Sequence, residues 1–272
     1  MVLKGFTNPQ SPTGKASLVE DVPHHISAEA IQVVFRVDPD VAQRYLPEDL
    51  EPSDPPLGFA YVADMLKVSA SEPDQHAIEP ERTQYNEGIV GLYCKHGDDA
   101  GRFSAFIWVT KDWSMAFGHF MGLPKKLAQV HKTRIHDVNP GMGPIGSGTK
   151  LRGVVDRLGT RVLDVAVTLE ERLPDDGIPA YGHRVFMHRV LPSPSPHVPT
   201  TRQLFSLKLG GAKTVDCWKG SGTVQLADGV NEELEALAPG EVTGAYFFRR
   251  GWTTKAGAEL VWDHSGKEHA NA

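Results

Sequence analysis

The feature that most constrains this chain is the recurrence, over nearly its whole length, of short segments rich in β-branched and aromatic residues, each closed by Gly, Pro, Asn or Asp. Segments 30–37, 59–65, 88–95, 102–110, 127–135, 151–157, 162–170, 184–190, 203–209, 214–218 and 260–263 fit this description, and each reads as a strand. Arg157-Leu-Gly-Thr160 has the composition of a tight hairpin turn between two of them. Helical signals are few. Asp38-Pro-Asp-Val-Ala-Gln-Arg-Tyr-Leu46 carries a capping Asp, Pro at the first helical position and a terminating Pro47; segments 113–120 and 231–237 are the other candidates. Strands this frequent, with so few helices between them, argue against repeated βαβ units and for a β-rich α+β fold, a large antiparallel assembly with helices at its edges. The stretch Leu191-Pro-Ser-Pro-Ser-Pro-His-Val-Pro199 is read as a stiff crossover within one domain spanning 1–272.

Composition narrows the function classes. The 272 residues suffice for one large core, and a net charge of -6 gives no basic field for nucleic acid. No run approaches the roughly 18 to 20 apolar residues a bilayer demands, and the polar N-terminal stretch is not signal-like, so a cytoplasmic protein without a membrane partner is expected. The two cysteines, Cys94 and Cys217, form no Cys-x-x-Cys pair and read as reduced core residues.

Gly141-Met-Gly-Pro-Ile-Gly146 matches the glycine pattern of a dinucleotide site, but that pattern works only where the glycines end a strand and open a helix. Here Pro140 precedes it, Pro144 interrupts it, and a strand-like sequence follows, so it reads as a turn. The 12 histidines show no zinc spacing; His183 and His188 fall on opposite faces of an extended segment. No Gly-x-Ser-x-Gly elbow is present. Neither a metal nor an organic cofactor is expected.

The candidate chemistry lies in Gly122-Leu-Pro-Lys-Lys-Leu-Ala128. An imine-forming amine must be available uncharged near neutrality, although a free lysine titrates at about 10.4. Removal from solvent and a like charge nearby both favour the neutral form. Lys126 adjoins Lys125, and Phe117, Phe120, Met121, Leu123 and Leu127 flank the pair, so both devices are within reach. Pro124 fixes the backbone entering the pair. A turn would bring the two ammonium groups together, whereas an extended strand would point them apart.

The run Trp113-Ser-Met-Ala-Phe-Gly118-His-Phe-Met-Gly122-Leu-Pro-Lys-Lys-Leu-Ala128 resembles the signature of the acetoacetate decarboxylase family, Gly-Arg-Glu followed closely by aromatic-Pro-Lys-Lys-Leu. Leu46-Pro-Glu-Asp-Leu-Glu51, Tyr85-Asn-Glu87-Gly and Ala258-Glu-Leu-Val-Trp-Asp263 resemble its opening, its acidic site segment and its closing strand. The resemblance implies a double-barrel or cone-like β assembly that forms homo-oligomers. It also implies an imine on Lys125, with Lys126 as its cationic activator, and Glu87 handling protons or orienting an oxo substrate.

This sequence also departs from the pattern. The Arg-Glu of the signature is missing, and His119 and Phe120 follow Gly118 instead; His119 is a candidate proton shuttle. Ala28 and Ala60 stand near the places of the family's arginine and second glutamate. Related pyruvate–aldehyde enzymes carry a glutamine where Met121 lies. Tyr85, Met121, Phe117, Tyr246 and Arg82 are the candidate substrate-binding residues. The expectation is therefore a Schiff-base lyase of oxo compounds, with decarboxylation and aldol or dehydration chemistry both open. Two other readings are a non-catalytic small-molecule binder of the same fold and an imine-independent hydrolase or cyclase using His119 and Glu87.

Overall fold

The computed structural model describes residues 2–208, 211–255 and 257–266. Its strands are β1 (His24–Arg36), β2 (Glu51–Pro52), β3 (Leu57–Ser69), β4 (Gln84–His96), β5 (Asp99–Val109), β6 (Lys125–Leu127), β7 (Gln129–Lys132), β8 (Lys150–Arg157), β9 (Thr160–Arg172), β10 (Arg184–Leu191), β11 (Thr201–Lys208), β12 (Lys213–Leu226), β13 (Val242–Thr254) and β14 (Glu259–Asp263). The helices are α1 (Pro39–Arg44), α2 (Gln75–Ile78) and α3 (Asp112–Met121). All strands join one 14-stranded sheet in the order β14-β11-β10-β5-β4-β3-β1-β13-β12-β9-β8-β7, with β2 on β4 and β6 on β5. The protein is thus β-rich with peripheral helices, as its sequence indicates.

Long central strands bury both faces. Along β1, Ile31, Val33 and Phe35 enter one apolar core while Ala28, Ala30 and Val34 enter another. The same alternation sends Ala60 and Val62 of β3 and Val90 and Leu92 of β4 into the first core, and Phe59, Met65 and Tyr85 into the second. These strands are therefore almost continuously apolar, as two-sided burial requires. The first chamber closes where β8 folds over β3 and β4, so tightly that a Cβ on Gly153 would lie 2.5 Å from Val62 Cβ. The second chamber lies under α3 and contains the site.

Pairing is antiparallel except at β5, whose early residues pair in parallel with β10 and whose late residues pair in parallel with β6. The unit β5-α3-β6 is a helical crossover, a geometry that the strand-rich sequence argued against as a repeating theme but which occurs here where the lysine pair is delivered. The Asp38 side chain caps α1 by accepting from the backbone N–H groups of Asp40 and Val41. Leu158 and Gly159 have φ of 48° and 85°, the left-handed pair that a two-residue hairpin needs. The glycine run 141–146 lies in turns before β8, not at a strand-to-helix junction.

Three expectations need correction. Segment 231–237 is no α-helix: an isolated bridge joins Gly229 to Glu232, and only a 3-10 turn, Glu235–Leu237, follows. The Asp228 carboxylate accepts from the N–H groups of Leu234 and Glu235, and Glu232 is drawn into the interior, so tertiary contacts override helix propensity. The segment read as one strand over 127–135 divides into β6 and β7. β13, which pairs with both β1 and β12, was not foreseen, nor was the second half of β12. Leu209, the last residue of one predicted strand, lies outside the described residues.

Candidate active site

α3 ends at Gly122, whose φ of 87° and N–H bond to the His119 carbonyl, together with Leu123 N–H bonding to the Gly118 carbonyl, form a left-handed C-terminal cap. The chain then turns directly into β6, placing Lys125 opposite Ile107 of β5. Gly118 leaves the space for the lysine: a Cβ there would lie 2.5 Å from both Lys125 Cγ and Cδ. The Lys125 side chain therefore runs beneath α3 into a cavity of about 590 Å³ in the second chamber.

Lys125 is 6% exposed, and its Nζ lies 2.7 Å from Glu87 Oε2 and donates to Ser114 Oγ at 3.1 Å. Nζ also sits 5.6 Å from the centroid of the Tyr85 ring, which packs edge-on against Trp113. The Tyr85 hydroxyl interacts with Ser114, and its pKa is held well above the ordinary phenol value by burial and by the negative charge of Glu87. Burial and Glu87 likewise raise Tyr61, which lines the same cavity. Both tyrosines thus remain neutral hydroxyls able to donate hydrogen bonds. The arrangement places an amine, a carboxylate and hydroxyl donors in a cavity open at one side and lined mainly by apolar side chains such as Ile89, Phe117 and Met121.

The sequence matches the family model "Acetoacetate decarboxylase (ADC)" over residues 7–264. The chain belongs to the acetoacetate decarboxylase family. An acetoacetate decarboxylase-like enzyme from Sphingomonas wittichii RW1 is 29% identical, with a TM-score of 0.88 over 95% of this chain and 99% of that one. The enduracididine biosynthesis enzyme MppR, solved with the condensation product of pyruvate and imidazole 4-carboxaldehyde, is 28% identical with a TM-score of 0.87, over 96% of this chain and 97% of its own. Acetoacetate decarboxylase from Legionella pneumophila, at 18% identity and TM-score 0.76 over 97% and 98%, shares the fold. No curated protein sequence matches. Family and neighbours make this chain a lyase-type enzyme.

In this acetoacetate decarboxylase family member the structure brings together Lys125, Glu87, Tyr85, Phe117 and Met121 of the sequence-derived candidates. Lys126 is elsewhere. β6 is extended, so adjacent side chains point to opposite faces, and Lys126 enters the first chamber, where Nζ bonds the Asn231 carbonyl and, at 3.1 Å, Glu232 Oε2. That buried carboxylate also meets Arg157 at 2.9 Å and accepts from Trp108 Nε1 at 3.1 Å. The cationic-neighbour role expected of Lys126 is not supported by this geometry.

His119 is exposed and outside the cavity wall; its Nε2 donates to the Lys125 carbonyl at 2.6 Å, bracing β6 from outside. Arg82 pairs with Glu20 and, at 2.6 Å, with Glu79, on the outer side of the N-terminal segment. Tyr246 is buried in the second chamber next to Tyr181, beyond the residues that line the cavity. Ala28 is in register with Arg250 of β13, while Ala60 faces the other chamber. The clustered Glu48, Asp49 and His264 lie at the surface, away from the cavity.

Sequence reasoning missed Ser114, Lys67, His24, Arg102 and Arg250, all lining the cavity. Lys67 pairs with Glu20 at 2.5 Å and lies 4.9 Å from the Trp113 ring centroid. His24 is fully buried and donates from Nε2 to the Glu20 carbonyl. The alternation of Arg102 and Ser104 on β5 was a usable signal; Arg250 lay in the strand that was not recognised. Among the described residues, no helix is long and apolar enough to cross a membrane.

Proposed function

We propose that the protein is an imine-forming lyase of oxo compounds, acting through Lys125 to make or break a carbon–carbon bond. The observation that carries this reading is the buried Lys125 Nζ, 2.7 Å from a carboxylate and 3.1 Å from a hydroxyl at the wall of a largely apolar cavity. Glu87 accepts a proton from the lysine, and the freed amine adds to the substrate carbonyl. Loss of water, which carries away the carbonyl oxygen and two protons, leaves a protonated imine. The iminium then draws in the electron pair of the adjacent bond as it breaks, or supplies an enamine that attacks an aldehyde when a bond forms. Neutral Tyr85 and Ser114 supply hydrogen bonds to the oxygen that leaves.

Between the two reactions open from sequence, aldol-type condensation or cleavage is favoured. The relatives near 28% identity include MppR, solved with a pyruvate–aldehyde condensation product, whereas the decarboxylase neighbour from Legionella pneumophila is 18% identical. Borohydride reduction in the presence of pyruvate with aldehydes, and of acetoacetate, followed by peptide mapping, tests the reading. The expected result is a reduced adduct on Lys125; absence of any adduct there would overturn it.

A further inference from the structure

The cavity has a charge pattern that the imine reaction does not use. At one end Lys125 is matched by Glu87, and at the flank Lys67 is matched by Glu20. Elsewhere on the wall stand Arg102 of β5 and Arg250 of β13, and no carboxylate of the described residues pairs with either. Arg250 donates from Nε to Thr214 Oγ1 at 2.8 Å and stacks 5.3 Å from the Phe248 ring centroid, which fixes the guanidinium plane and leaves its outer nitrogens without a partner among the described residues. The Arg102 side chain has no hydrogen-bond partner among them. The two cations come from strands separated by β4, β3 and β1, yet both line the same cavity, where burial and then the charge of Arg102 lower the pKa of Arg250. Tyr61 lies between the poles and feels Glu87 and both arginines. Exposed Lys208 and Lys255 add positive charge to the cavity lining.

Two half-buried guanidiniums that repel each other and lack a counterion are costly unless an anion joins them, and a carboxylate meets their planar forks best. We propose that Arg102 and Arg250 bind a carboxylate on the part of the substrate remote from the carbonyl that Lys125 attacks. This rests on the imine reading for the identity of the reacting end. Spacing places this carboxylate away from the carbonyl carbon. Arg102 and Ile107, the strand partner of Lys125, are separated by about 15 Å along β5 at the usual rise per residue. A carboxylate several bonds beyond the reacting carbonyl reaches the arginines, whereas one on the reacting carbon itself, as in pyruvate, stays beside Lys125. The inferred carboxylate is a second one, on the distal part of the substrate or condensation product. The substrate class is therefore an oxo compound, or condensation product, bearing a distal carboxylate.

Hexanoate is the probe, because it has no carbonyl and cannot form an imine. Titration calorimetry should show saturable hexanoate binding that exceeds hexanol binding. Arg102→Gln and Arg250→Gln should each weaken it about tenfold or more, with Arg→Lys variants losing less. In the unmodified protein, hexanoate should slow phenylglyoxal modification of Arg102 and Arg250, a readout that does not depend on how any variant folds. Hexanoate affinity unaltered by both Gln substitutions, or modification rates unaltered by hexanoate, would overturn the proposal. A parallel borohydride arm compares 5-oxohexanoate with hexan-2-one. Faster labelling of Lys125 by the acid, abolished in the Gln variants, supports the pole. Equal labelling by both compounds counts against the pole while leaving the imine intact. No labelling by either, with arginine-dependent hexanoate binding retained, removes the imine and leaves the anion site standing.

Discussion

Gly118→Ala is the sharpest perturbation of the site, because it adds one carbon and removes no functional group. The new Cβ would lie 2.5 Å from Lys125 Cγ and Cδ and 3.1 Å from its Cβ. Carbon atoms pack best at about 3.5–4.0 Å, so the lysine stem must move by about 1 Å. Movement away from α3 shifts Nζ relative to Glu87 Oε2, now 2.7 Å away, and a misplacement of about 1 Å in a reacting group costs on the order of 100-fold in rate. Stability should change far less. Alanine in a helix gains about 1 kcal/mol over glycine, against about 1–3 kcal/mol for overpacking, leaving a net loss of at most about 2 kcal/mol. The assay is the rate of borohydride-dependent labelling of Lys125 by pyruvate, with urea unfolding as the control. Labelling within about threefold of the unmodified protein, at unaltered stability, would refute the reasoning, since the displacement argument requires a far larger loss.

Glu232→Ala should destabilise the protein by about 3 kcal/mol in urea unfolding, because it strands Arg157 and the Trp108 indole in the first chamber. Lys126→Met should keep most Lys125 labelling and lower stability by about 1 kcal/mol, since Lys126 is only partly enclosed and braces the far side of the sheet; loss of labelling would restore its direct role. His119→Ala should slow labelling by at most about tenfold, as expected when a brace of one hydrogen bond is removed, whereas abolition would mark a proton shuttle. Burial pushes the Cys94 thiol up to about 12, so at neutral pH a thiol reagent should label it only after unfolding; rapid labelling of folded protein would contradict the packing.

Much of the architecture was readable because alternating apolar residues and turn punctuation are local signals. The exceptions share a cause. β13 contains Gly244, Gly251, Arg249 and Arg250, and the second half of β12 contains Gly220 and Gly222, which resemble loop sequence. Those β12 glycines instead answer close approach: a Cβ at Gly220 would fall 1.9 Å from the Thr168 carbonyl oxygen. Such contacts depend on distant strands and leave no local trace. In the site, the proximity of Lys125 and Glu87 came from family resemblance, since nothing in their spacing brings them together. Of the two devices invoked for the amine, enclosure is present, while the cationic companion fails because an extended strand separates adjacent side chains.

That separation has a further consequence. Sliding β6 by a single residue one way would set Lys126 opposite Ile107 and Leu127 opposite Trp108, and the other way would set Pro124 opposite Ile107. The doublet thus fixes the register from both sides, since one slip empties the reactive position of its amine and the other leaves Glu232 without the amine it bonds. What distinguishes the reactive nitrogen is its destination: one compartment offers a carboxylate beside a hydroxyl in a hollow, the other a carboxylate already claimed by an arginine and an indole.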